Sequence, residues 1–163
     1  MARPLRIKTH WFKVESTRSA GETASALAAT IWRTASHRVA NLRQQRFAVE
    51  VGAPYVAMMA ELLCFLIVVA DRVAWRHDPG EWRTAFTSAL TLKVAELMQD
   101  NFDEWLGPTD DGGFRARFIE HMNRRAAEYA DCDYHADGPS YVMLRYFGEC
   151  VEGVTVGEDD RRW

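Results

Sequence analysis

The sequence predicts an all-α fold, a single-domain bundle of about five helices around a central apolar helix. Three observations predict it. A run that opens at Pro54 and closes at Arg76 carries one charge, Glu61, between Tyr55 and Ala70, and its apolar residues fall on every side of the helical wheel. The stretches around it each carry one apolar stripe at three- and four-residue steps. No segment reads strongly as a sheet. A helix that is apolar all round belongs either in a membrane or at the centre of a bundle. Its charge-free part, 62–70, is nine residues, against the roughly 20 that a membrane span needs. The central position is therefore expected, with no transmembrane segment.

The first helix is expected over 22–46. Ser19 or Gly21 can cap it, and Glu22 is favourable in its first turn. Ala24, Leu27, Ala28, Ile31, Ala35, Val39 and Leu42 form its stripe, and Arg33, His37, Arg38, Arg43 and Arg46 fan around the outer sides. Gly52 punctuates, and Pro54 suits the first turn of the central helix. Asp78-Pro79-Gly80 makes a turn. The third helix then runs to Trp105 on a stripe that includes Phe86, Leu90, Val94, Met98 and Phe102, and Gly107-Pro108 stops it. The fourth is expected over 114–129, with Phe114, Phe118, Met122, Ala126 and Tyr129 inward. A polar loop, 131–139, precedes a fifth over 140–151, where Arg145, Glu149 and Glu152 make the polar stripe. Residues 1–20 read as an irregular basic arm in which Leu5, Ile7 and Trp11 hint at extended spacing, and 157–163 as a loose tail.

With 163 residues the chain fits one domain and can bury a sizeable core without disulfides or metal. Its start has basic residues but no apolar run behind them, unlike a secretory signal. Three cysteines, Cys64, Cys132 and Cys150, form no CxxC pair, which suits reduced thiols and a cytoplasmic location. The net charge of −3 is unevenly spread. Residues 1–46 hold nine basic and two acidic side chains, and 47–163 hold 11 basic and 21 acidic. The basic part can pack on the acidic remainder, on a second copy, or on an acidic partner.

Glu61 is the sharpest candidate for chemistry, because a carboxylate in apolar surroundings must be paired or protonated. Arg72 lies in nearly the same helical direction but about 16 Å along the axis, so the two can meet only through a neighbouring helix. The fourth helix offers Asn123, Arg124 and Arg125. Glu61, Arg72, Asn123 and Arg124 thus make a candidate polar site, read either as a structural tie or as an acid with a raised pKa. Arg33, His37, Arg38 and Arg43 make a candidate basic interaction surface. No Glu has a His three residues on, which argues against a carboxylate-bridged metal centre. His37 and His121 remain as lone candidates for a heme. Cys132-x-x-His135 is half of a zinc site without a second half. No P-loop, dinucleotide fingerprint or nucleophile elbow occurs. No metal, no cofactor and no catalytic residue is therefore expected.

Three function classes stay open. The first is a non-enzymatic interaction, assembly or regulatory factor, which calls for an exposed basic patch, no internal cavity and a buried, paired Glu61. The second is a small-molecule or cofactor-binding bundle, with or without enzymatic activity, which calls for a cavity with an unpaired Glu61 facing it. The third is nucleic-acid binding through the basic N-terminal region, which has no recognisable module behind it. A homodimer is expected too, because four helices have difficulty enclosing a helix that is apolar all round, and twofold dimers are the commonest oligomers.

Overall fold

The computed structural model describes residues 18–45, 47, 49–109 and 113–155. Residues 1–17 of the N-terminal arm, Arg46 at the expected end of the first helix, the tail and the Asp110–Gly112 part of the expected loop lie outside the described residues. Five helices follow one another: α1 (Ala20–Gln44), α2 (Ala53–His77), α3 (Glu81–Leu106), α4 (Gly113–Ala130) and α5 (Tyr141–Glu152). The all-α bundle is as the sequence predicts.

Helix α1 begins two residues before the expected start because Ser19 and Glu22 form a reciprocal capping box. The Ser19 hydroxyl accepts from the Glu22 amide at 3.2 Å, and the Glu22 carboxylate accepts from the Ser19 amide at 3.0 Å. Its buried face is small: Ala24, Ala28, Ile31, Ala35 and Val39. Small side chains let α1 lie close along α3, its most extensive neighbour. Helix α3 stops at Gly107, whose φ of 84° is the left-handed conformation that releases the chain from a helix. Ser140 caps α5 by accepting from the Met143 amide at 3.1 Å.

The loop between α4 and α5 contains the one departure from a purely helical reading. Tyr134–His135 (β1) pairs antiparallel with Gly138–Pro139 (β2) across Ala136-Asp137. Gly138, at φ 138°, supplies a backbone angle that closes this short hairpin and that side chains rarely tolerate.

Helix α2 packs against α1, α3, α4 and α5, and it buries Met58, Met59, Glu61, Leu63, Cys64, Ile67, Val68 and Ala74. By length and composition it is also the one described helix apolar enough to cross a membrane. Among the described residues its enclosure is incomplete. Leu62, Phe65, Leu66, Val69 and Ala70 stay half-buried, and Val73 is 43% exposed. These positions recur every three to four residues and so form one stripe along the helix. The gap follows from the arrangement of its neighbours: α1 lies mainly on α3, and α5, only 12 residues long, rests chiefly on α2.

Candidate functional site

The charged side chains of α2 between Glu61 and Arg76 each reach a neighbouring element. Glu61 is 1% exposed. Arg125 of α4 grips both its oxygens, Nη2 donating to Oε1 at 2.6 Å and Nε to Oε2 at 2.8 Å. This parallel two-bond geometry is the strongest form of a carboxylate–guanidinium pair. The remaining nitrogen of Arg125, Nη1, donates to Glu128 at 2.7 Å and to the Tyr146 hydroxyl of α5 at 3.0 Å. His121 Nε2 stands 3.0 Å from Glu61 Oε1, off the line of a good hydrogen bond. Arg124 donates to His121 Nδ1 at 2.6 Å. An arginine can only donate, so Nδ1 accepts and the neutral ring carries its proton on Nε2, toward Glu61.

Burial alone would push the Glu61 carboxyl up. His121 and then Arg125 outweigh that, and the group lies below the usual carboxylate range. Glu61 is therefore an ionised, fully occupied acid, a state suited to holding helices together and unsuited to proton transfer at neutral pH.

The other charges of α2 behave alike. Asp71 accepts from Arg83 of α3 at 2.9 and 2.5 Å and from the Thr87 hydroxyl at 2.6 Å. Arg72 donates to the carbonyls of Tyr129 and Ala130, at 3.0 and 3.2 Å. It thereby satisfies the last turn of α4 with a cation, where the helix dipole favours one. Arg76 donates to the carbonyls of Tyr134, His135 and Ala136 and so holds the hairpin.

Of the candidate polar site, then, Glu61 and Arg72 both tie α2 to α4, but at separate places. Arg124 is exposed and reaches Glu61 only through His121, and Asn123 is exposed. The residues that complete the site are Arg125 and His121. Helical phase could have selected them. Arg125 lies three residues after Met122 and four before Tyr129, on the inward stripe, and His121 lies four residues before it, whereas Asn123 and Arg124 point off that stripe.

The interior offers little nucleophilic chemistry. Burial raises the pKa of all three thiols, Cys64 most, so none is held as a thiolate. Among the described residues, no group of three or more His, Cys, Asp or Glu is placed to hold a metal ion. The Tyr129 hydroxyl is buried between α4 and α5 without a hydrogen-bond partner among the described residues.

The open stripe of α2 forms the floor of two grooves. One, of about 610 Å³, is walled by Thr34, Arg38 and Leu42 of α1 and by Leu144, Phe147 and Val151 of α5. The other, of about 470 Å³, continues past Leu27 and Ile31 to Val73, Trp82 and Phe86. They share Thr34 and Leu66, and so read as one apolar channel along the helix. Glu61 lines neither. A third hollow on the outer side of α1 is formed by Thr30, Arg33, Thr34, His37 and Arg38. Through Thr34 and Arg38 it adjoins the channel, so one wall of the apolar floor is cationic. From Thr23 to Gln45, α1 contains no acid. Arg33, His37, Arg38 and Arg43 are all exposed and have no partner among the described residues, and Arg43 lies outside the linings of these hollows. No protein family, no protein of known function and no solved structure matches the chain.

Proposed function

We propose that this protein is a cytoplasmic, non-enzymatic interaction and assembly module whose working surface is the channel over α2. The observation that supports it most is the pairing of an apolar floor with a cationic wall. Leu62, Phe65, Leu66, Val69 and Val73 offer apolar surface, Arg38 stands on its wall, and Arg33 and His37 lie in the adjoining hollow, all three without a partner among the described residues. A soluble chain seldom leaves so continuous an apolar strip uncovered unless something binds there. The strip is concave and open along its length, which suits a helix laid into it. The cationic wall selects a helix with acids beside its apolar face, and it disfavours the chain's own N-terminal segment, which carries Arg3, Arg6, Lys8 and Lys13 against Glu15. A polar pocket built on Glu61 would need an unpaired acid facing a cavity, and that acid is held on both oxygens by Arg125.

A synthetic amphipathic peptide of about 18 residues, helical in isolation only in part, tests this directly. One version has leucines at helical spacing with glutamates beside them, and its twin has lysines in place of the glutamates. Titration calorimetry is expected to show binding of the glutamate peptide, and at least about tenfold weaker binding of the lysine twin. Val73→Glu in the protein, at an exposed floor position, is expected to abolish binding while the helical circular dichroism stays intact. Equal binding of the two peptides, or indifference to Val73→Glu, would refute the assignment of this surface.

A further inference from the structure

We infer that the helix laid into the channel is α5 of a second copy of this chain, exchanged reciprocally about a twofold axis beside α5. The inference rests on the channel being a helix-docking surface, and it names the occupant.

Among the described residues, the large exposed apolar side chains are Val51, Val73, Trp75, Leu92, Trp105, Leu106, Tyr141, Val142 and Leu144. Most are scattered or sit near helix ends and loops. Three of them, Tyr141, Val142 and Leu144, crowd into the first turn of α5, where they are 78%, 63% and 48% exposed. Helix α5 therefore presents an apolar ridge outward while its inner face, with Met143, Cys150 and Val151, is buried. The ridge needs a concave apolar partner, and the channel is one.

Charge agrees with this pairing. The same helix carries Glu149 and Glu152 on its exposed side. Glu149 is bonded to Arg145 at 2.9 Å, and the Glu152 carboxylate has no partner among the described residues. The opposite wall of the channel carries Arg38, and Arg33 stands in the adjoining hollow on the outer side of α1; neither has an acidic partner among the described residues. A copy of α5 laid along that wall brings Glu149 and Glu152 toward Arg38 and, beyond it, Arg33.

Geometry makes the exchange mutual. Leu144 belongs both to the ridge and to the lining of the channel, so the two surfaces are contiguous on one molecule. A patch that contains both a convex and a concave half is self-complementary, which is the condition for a closed twofold dimer. Two concave surfaces would leave a void between them, so direct α2–α2 pairing across the dimer is disfavoured. One 12-residue helix covers too little surface for a stable dimer, whereas reciprocal docking doubles the contact.

The test is charge reversal with rescue, read by native mass spectrometry and sedimentation on the full chain. The unaltered protein is expected to be dimeric at about 10 µM, an ordinary affinity for an interface of this kind. Arg33→Glu with Arg38→Glu on one side, or Glu149→Arg with Glu152→Arg on the other, is expected to weaken the dimer at least about tenfold. All four together are expected to restore it. These side chains are exposed, so an unchanged thermal melt shows that each variant is folded. A monomer at about 100 µM overturns the inference, as does a dimer indifferent to either reversal or a fourfold variant that stays dissociated. A monomer that still binds the glutamate peptide shows a wrong occupant on a right surface. A monomer that binds neither removes both.

Discussion

The two sides of α2 solve opposite problems. Toward α3 and α4, its charges are fully used: Glu61 on Arg125, Asp71 on Arg83 and Thr87, Arg72 on the end of α4. Toward the gap between α1 and α5 there is no charge on α2, and most of its apolar residues there are only partly covered. On the first side polar chemistry is spent on architecture; on the second, apolar surface is spared from it. The conspicuous residues of a sequence are thus not always those left on its less covered side. Glu61 attracts attention because a buried acid is rare, yet Leu66 and Val69 occupy the face that no described helix fully covers.

The largest expected effect lies on the closed side. Glu61→Gln takes the counter-charge from the half-buried Arg125 and leaves it one accepting oxygen and an amide NH2 that cannot accept, and breaking a buried pair by removing one member costs about 3–5 kcal/mol. Urea titration should show a loss near the lower figure, since Arg125 keeps Glu128 and Tyr146. Peptide binding at the channel should be unchanged in the folded fraction. A variant that kept full stability but lost binding would invert the comparison between the two sides. The pH dependence follows from the same group. The carboxyl titrates below its ordinary value of 4.5, so its contribution is fully present above that pH and is lost as the pH falls through the lowered value. In Glu61→Gln, the acid limb of stability against pH below about 4.5 should be shallower.

Asp71→Asn is expected to cost less, about 1–2 kcal/mol, because both partners of the Asp71–Arg83 pair keep some contact with water, at 17% and 27% side-chain exposure. Chemical denaturation measures it. A cost as large as that of Glu61→Gln would mean that burial is not what separates the two ties. Tyr129→Phe works in the opposite direction. Its hydroxyl is buried and unpartnered, so deleting it removes a desolvation cost with no bond lost, and stability should rise by about 1 kcal/mol. A drop in melting temperature would show that the hydroxyl is satisfied in solution.

Much of this was legible in the sequence, for a stated reason. Helices were visible because apolar period is a local property: the α1 stripe, Pro54 at the start of α2 and Gly107 after α3 all stand where the pattern puts them. The capping box was also local, a Ser-x-x-Glu, but it competed with Gly21 as a cap. The partner of Glu61 was not local. Arg125 is 64 residues away, and choosing it over Arg124 depends on the phase of α4 relative to α2, which is fixed by packing. The hairpin between β1 and β2 was hidden because only four residues pair in it. The open face of α2 was hidden most deeply. All-round apolarity announces a helix that wants burial on every side, and only the packing of α1 on α3 reveals which side goes without.

The smallest stability effect should accompany the largest effect on binding. Val73→Thr and Leu144→Gln keep size and helical tendency nearly constant while making two exposed wall and floor positions polar. Each side chain is already close to half in water, so little apolar burial is forfeited on folding, and surface changes of this sort stay within about 0.5 kcal/mol. The double variant should therefore unfold within experimental error of the parent. Its apolar contact with anything laid in the channel is cut at both ends, and contacts made only in the complex appear in full in the dissociation constant. Peptide affinity and dimerisation should thus fall together, with no change in the melt. The opposite pattern, a destabilised protein that binds as before, would mean that Val73 and Leu144 belong to the core after all and that α2 has no free side.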